Sequence, residues 1–245
     1  MSLLDSFTKK KLLTAAINQT AKARESDGKV ADSLYKSAYQ DYAEALVGDL
    51  LRADTLYNWG FALLLQAKTK TDKEAIKLCE EAIAKFSFCL LLNPSYLGAA
   101  INGGVAYMDL ARIKGVESHD ELYELASSYF DKANAIQAGS ASYNLACIYA
   151  LRDEKAACLE ALENAKNRGY LPDAEEIMAD PDLDKAKTQL WFVMFMNALT
   201  EAVATEATEE ALIEAVESPE IEAEVVEQAI ESTESVVAES ETEQK

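Results

Sequence analysis

The chain has 245 residues, 23 Lys and Arg against 43 Asp and Glu, and 49% hydrophobic residues, enough apolar material for a substantial core. Nine Gly and four Pro argue against a loop-rich all-β chain, and a formal charge of −20 argues against nucleic-acid binding, which needs a basic face for phosphates. The charge is uneven: Glu201 to Lys245 holds 15 acids and one base, leaving 28 acids against 22 bases, a net of −6, in the first 200 residues.

A first helix is predicted from Leu3 to Ala23, and Ser26-Asp27-Gly28 reads as a turn. A second helix follows, with Ala38, Tyr42 and Ala45 at spacings of four and three, hence on one face. The start of the chain places its lysines after the first apolar residues and does not read as a secretory signal. No run of 18 apolar residues is present, so no membrane span is expected. Cys79, Cys89, Cys147 and Cys158 have no Cys-x-x-Cys spacing, and there is one histidine, His119. These features predict buried free thiols in a cytoplasmic protein, with no metal site and no cofactor.

From residue 53 onward the chain repeats itself. Tyr57-Asn58-Trp59-Gly60-Phe61, Ile101-Asn102-Gly103-Gly104-Val105 and Tyr143-Asn144-Leu145-Ala146-Cys147 align on a common pattern. Each is followed by a second helical stretch with a small–large–small triplet: Ala82-Phe86-Cys89, Ala126-Phe130-Ala133 and Cys158-Leu162-Ala165. Gly at mid-helix costs about 1 kcal/mol relative to Ala. That cost is tolerable at residues 60 and 104 if it lets a neighbouring helix come close. Pro94, after Asn93, closes the first pair.

Hairpins with Gly and an aromatic or Leu in the first helix, then Ala, Phe and Ala and a closing Pro in the second, resemble tetratricopeptide repeats. Three such units cover residues 53–171. The first two hold about ten extra residues between their signatures by the usual repeat length. These fall at Gln66–Lys77 and Ala111–Leu122, where lengthening both helices of each hairpin is the simplest account. In that lengthening the chain is similar to the plant mitochondrial presequence receptor, whose C-terminal membrane anchor has no counterpart in this sequence.

Downstream, Asp180 and Pro181 suit the N-cap and first turn of a closing helix. Residues 189–199 are apolar on every side, and are expected to pack on the last hairpin or to dock a partner through Trp191, Phe192 and Phe195. From Thr200 the acidic tail has no aromatic residue and is expected to be disordered. The predicted organisation is therefore an all-α solenoid: an N-terminal hairpin over 1–52, three repeats over 53–171, capping helices over 172–199, and the tail over 200–245.

No nucleophile–base pair, phosphate loop or calcium loop is legible, so the chain is not read as an enzyme. By resemblance to the repeat family, the first helices would line a groove with Tyr57, Asn58 and Phe61; Ile101, Asn102 and Val105; and Tyr143, Asn144 and Cys147. Asn amides there can bond a peptide backbone while their apolar neighbours take its side chains. None of the nine residues is basic, which argues against an acidic ligand. A scaffold or adaptor holding a basic or apolar segment of a protein partner is expected. The alternative is a structural protein that self-assembles into homo-oligomers through residues 190–199.

Overall fold

The described residues of the computed structural model are 3–47 and 52–200, and among them every regular element is helical. Helices α1 (Leu3–Arg24) and α2 (Gly28–Ala45) make the first hairpin. Helices α3 (Arg52–Ala67) and α4 (Asp72–Leu92), α5 (Leu97–Lys114) and α6 (Glu121–Ile136), and α7 (Ser142–Leu151) and α8 (Lys155–Asn167) make three more. A capping segment follows: α9 (Ala174–Ala179), a 3-10 turn (Pro181–Leu183) and α10 (Asp184–Lys187).

Each helix packs on its hairpin partner, and the hairpins join in sequence through α2 with α3, α4 with α5 and α6 with α7. First helices also touch one another, α1 with α3 and α3 with α5. The result is an α-solenoid, in which each hairpin buries its apolar stripe on the next. The additional residues of the first two repeats lengthen their helices. Helices α3 to α6 have 16, 21, 18 and 16 residues, against 10 and 13 for α7 and α8. His119 is exposed in the turn between α5 and α6.

The small–large–small triplets form the spine of the core: all nine of their residues are 0% exposed. The ring of Phe86 lies against Gly60 and that of Phe130 against Gly104. In the third repeat the Cys158 thiol donates to the Ala146 carbonyl at 3.3 Å, so a small side chain again meets a small backbone notch. Burying one such phenylalanine stabilises the fold by roughly 1.5–3 kcal/mol. Gly103 departs from the repeat pattern for a specific reason. The ring of Tyr129 occupies the place of its missing side chain, and the Tyr129 hydroxyl meets Ser87 Oγ of α4 at 2.7 Å.

The N-terminal hairpin belongs to the same stack. Tyr39 and Tyr42 each stack on Trp59 of α3 at a 6.3 Å ring separation. Asp32 of α2 accepts from Gln66 Nε2 at 3.1 Å and from Lys70 Nζ at 2.8 Å. Its carboxyl is held below the ordinary value, chiefly by the Lys70 bond.

Residues from Gln189 form a separate unit. Within it residues 190–200 are helical; Phe192 is buried, Trp191 and Phe195 are half-buried, and Leu190, Val193 and Met194 are exposed. The acidic segment from residue 201, and with it the expectation of disorder, lies outside the described residues. No helix among the described residues is long and apolar enough to cross a membrane.

Candidate functional site

Helical periodicity puts residues 57, 58 and 61 on the same side of α3, with 101, 102 and 105 on α5 and 143, 144 and 147 on α7. Eight of these nine side chains are half-buried, neither sealed in the core nor free in solvent. Two hairpins are joined through them: Asn102 Nδ2 donates to the Tyr57 hydroxyl at 3.2 Å. The Tyr57 ring stacks on Phe61 at 6.3 Å and meets Tyr96 at 4.9 Å. Tyr96 in turn donates to Asp54 Oδ1 at 3.0 Å. Burial pushes the Tyr57 phenol up, so it stays a neutral donor and acceptor. The surface thus made is an aromatic and aliphatic strip edged by amides.

The asparagines are partly committed within the protein. Asn58 Nδ2 donates to the Asp54 carbonyl one turn back at 2.8 Å, and Asn102 donates to Tyr57. Asn144 lines a cavity of about 550 Å³. That cavity also takes Val105, Tyr143 and Cys147 from the predicted set, and adds Met108 and Arg112 of α5 and Glu176, Ala179, Asp180, Pro181 and Asp182 of the capping segment.

Cys147 is the exception among the nine. It is 3% exposed, because the capping segment folds over α7 and its thiol donates to Asp180 Oδ2 at 3.5 Å. Tyr143 donates to the same oxygen at 2.9 Å. Asp180 also serves as the N-cap of the 3-10 turn, accepting from the Asp182 N–H at 3.0 Å. Arg112 clamps this segment to α5, with Nε donating to Asp182 Oδ1 at 3.1 Å, Nη2 to Asp182 Oδ2, and Nη1 to Asp109 at 2.6 Å. The expected face is therefore half-buried along α3 and α5 and covered at Cys147 of α7 by the capping segment. Sequence pattern had placed Asp180 at a helix start but could not say that it reaches α7.

Cys147, Asp180 and Asp182 bring one thiol and two carboxylates within 4.8 Å of one another. Their atoms already satisfy each other's and Arg112's hydrogen bonds, and burial, then the two carboxylate charges, holds the thiol protonated. A cation at Asp182 is supplied by the protein itself.

Stacked helical hairpins with a half-buried apolar strip along their first helices define a helical-repeat protein. Residues 30–159, more than half of the chain, match the family of the plant specific mitochondrial import receptor subunit TOM20, and the chain belongs to that family. No curated protein matches it. The family is one of receptors rather than enzymes, in keeping with a non-enzymatic, protein-interacting chain. The match overturns the expectation of a cytoplasmic protein, since the family is that of a mitochondrial import receptor. Composition misled on this point for a physical reason. All four cysteines are buried, so their being free reflects packing, not compartment. The match lends no support to self-assembly through residues 190–199.

Proposed function

We propose that this chain is a receptor that holds a segment of a precursor polypeptide, of the mitochondrial presequence type, along the first helices of its tetratricopeptide-like hairpins. The bound segment lays an apolar side on Tyr57, Phe61, Ile101 and Val105, while amides of the asparagine row bond its polar groups. The observation that carries this reading is the Asn102–Tyr57 bond, which makes one surface of two hairpins. Membership in an import receptor family supports the same reading. So does the absence of any basic residue among the nine: a basic amphipathic segment meets no like charge there.

The test is a fluorescence-anisotropy titration with a labelled, synthetic amphipathic peptide carrying Leu on one side and Arg on the other. Phe61→Ala combined with Ile101→Ala removes two half-buried apolar contacts and is expected to weaken binding at least tenfold, with helicity unchanged by circular dichroism. Equal affinity of the variant and the natural chain would reject the first-helix surface.

A further inference from the structure

The cavity at the α7 end of the first-helix face has one wall that the family match does not reach, since Glu176, Asp180 and Asp182 all lie beyond residue 159. Val105 and Met108 of α5 give it an apolar side, and Ala179 and Pro181 add apolar surface to the capping wall itself. Asp180 is fixed in orientation by three donors: the Tyr143 hydroxyl at 2.9 Å, the Cys147 thiol at 3.5 Å and the Asp182 N–H at 3.0 Å. All three are neutral, so they place the carboxylate without cancelling its charge. Arg112 is the one cation in the lining, and it is committed to Asp182 and Asp109. Among the described residues neither Glu176 nor Asp180 is ion-paired. Two carboxylates therefore face a half-enclosed space whose one cation is engaged by other carboxylates, Asp182 and Asp109.

We infer that this cavity is a socket for one cationic side chain, Arg or Lys, of the polypeptide bound along the first helices, with Glu176 and Asp180 as its partners. The inference rests on the reading of that face as the binding surface. A volume of about 550 Å³ lies within the range of side-chain-sized and small-ligand sites. A long cationic side chain suits the lining: its aliphatic stem lies along Val105 and Met108, and its charged head reaches the carboxylates. Asp180 is half-buried, where a charge pair is worth more than on an open surface, and it is held in place before the ligand arrives. The socket would then set where along the face a basic residue must fall.

A labelled short peptide of Leu, Ala, Gln and Ser with a single Arg near one end tests this, against the same peptide with citrulline, which keeps the shape and loses the charge. On the natural chain the citrulline peptide is expected to bind about five- to tenfold more weakly. With Glu176→Gln plus Asp180→Asn the two peptides should bind within twofold of each other. Asn at residue 180 keeps an acceptor oxygen for the Asp182 N–H, while its amide nitrogen can donate to the Tyr143 hydroxyl, and Glu176→Gln alone, on an exposed side chain, should give part of the effect without touching the fold. Equal binding of the two peptides by the natural chain overturns the socket, and so does a charge preference that survives the double variant. Phe61→Ala with Ile101→Ala separates the two readings. If it weakens both peptides alike while the charge preference is absent, the face stands and the socket fails. If it changes nothing while the charge preference persists and vanishes in the double variant, the socket stands and the face fails.

Discussion

A Cβ built on Gly104 would lie 2.4 Å from Cε1 of Phe130, while one on Gly60 would lie 2.9 Å from Cε1 of Phe86. Both rings are wholly buried, so neither can swing aside. Ala at residue 104 gains about 1 kcal/mol of helix propensity and incurs roughly 1–3 kcal/mol of overpacking. Gly104→Ala is therefore expected to lower the denaturant midpoint, and Gly60→Ala to lower it less. Adding Phe130→Leu to Gly104→Ala should recover part of the loss. A Gly104→Ala chain as stable as the natural one would show that the close approach is not what the glycine provides.

Phe86 and Phe88 lie two residues apart on α4, one 0% and the other 59% exposed. Phe86→Ala should cost about 3–5 kcal/mol through cavity formation. Phe88→Ala should stay within about 0.5 kcal/mol, as surface changes usually do. Chemical denaturation of the two variants checks the contrast, and comparable losses would mean that the outer face of α4 is covered in solution.

Burial raises every thiol: Cys79 and Cys89 to about 11, Cys158 to about 12, and Cys147 well above the ordinary value. Since the thiolate is the reacting species, the folded chain should react slowly with an aromatic disulfide reagent at pH 8. All four thiols should react at once when it is unfolded. A thiol titrating rapidly in the native state would place one of them at the surface.

The Asp32 carboxylate joins α2 to Gln66 and Lys70, and its bonds to them hold its titration below the ordinary value. For a carboxyl lowered on folding, the stability it contributes is present above its unfolded value of about 3.9 and is lost as pH falls through the lower folded value. The difference in melting temperature between the natural chain and Asp32→Ala should thus be seen at neutral pH and shrink toward pH 3. Because the pair is half-buried at the surface and still reached by solvent at Asp32, the difference should be small and should also fall with salt. A difference that does not change with pH would assign the effect to packing, not charge.

Much of the fold was legible before any coordinates. Spacings of four and three assign residues to one helix face whatever the surroundings, so Ala82-Phe86-Cys89 and its two counterparts could be read as core, and all nine residues are buried. A glycine inside a helix has a local cost that only close packing offsets, so Gly60 and Gly104 announced the approach of a neighbour. The polar stretches at Gln66–Lys77 and Ala111–Leu122 likewise announced longer hairpins, and those helices are the long ones. The proposed binding face was visible as a set of positions, but not as a surface: that Asn102 reaches Tyr57, 45 residues earlier, is a matter of how α5 leans on α3.

The closed end of that face was decided by tertiary structure alone. Asp180 meets Tyr143 and Cys147 across more than 30 residues, and Asp182 meets Arg112 across 70. Periodicity constrains neighbours within a helix and its hairpin, whereas the landing place of a short capping segment depends on how α5 and α7 lie together. What the residues determined by themselves is therefore the repeating unit, its notches and its polarity. What only the folded chain decided is where the face stops, and the pair of unneutralised carboxylates left standing there.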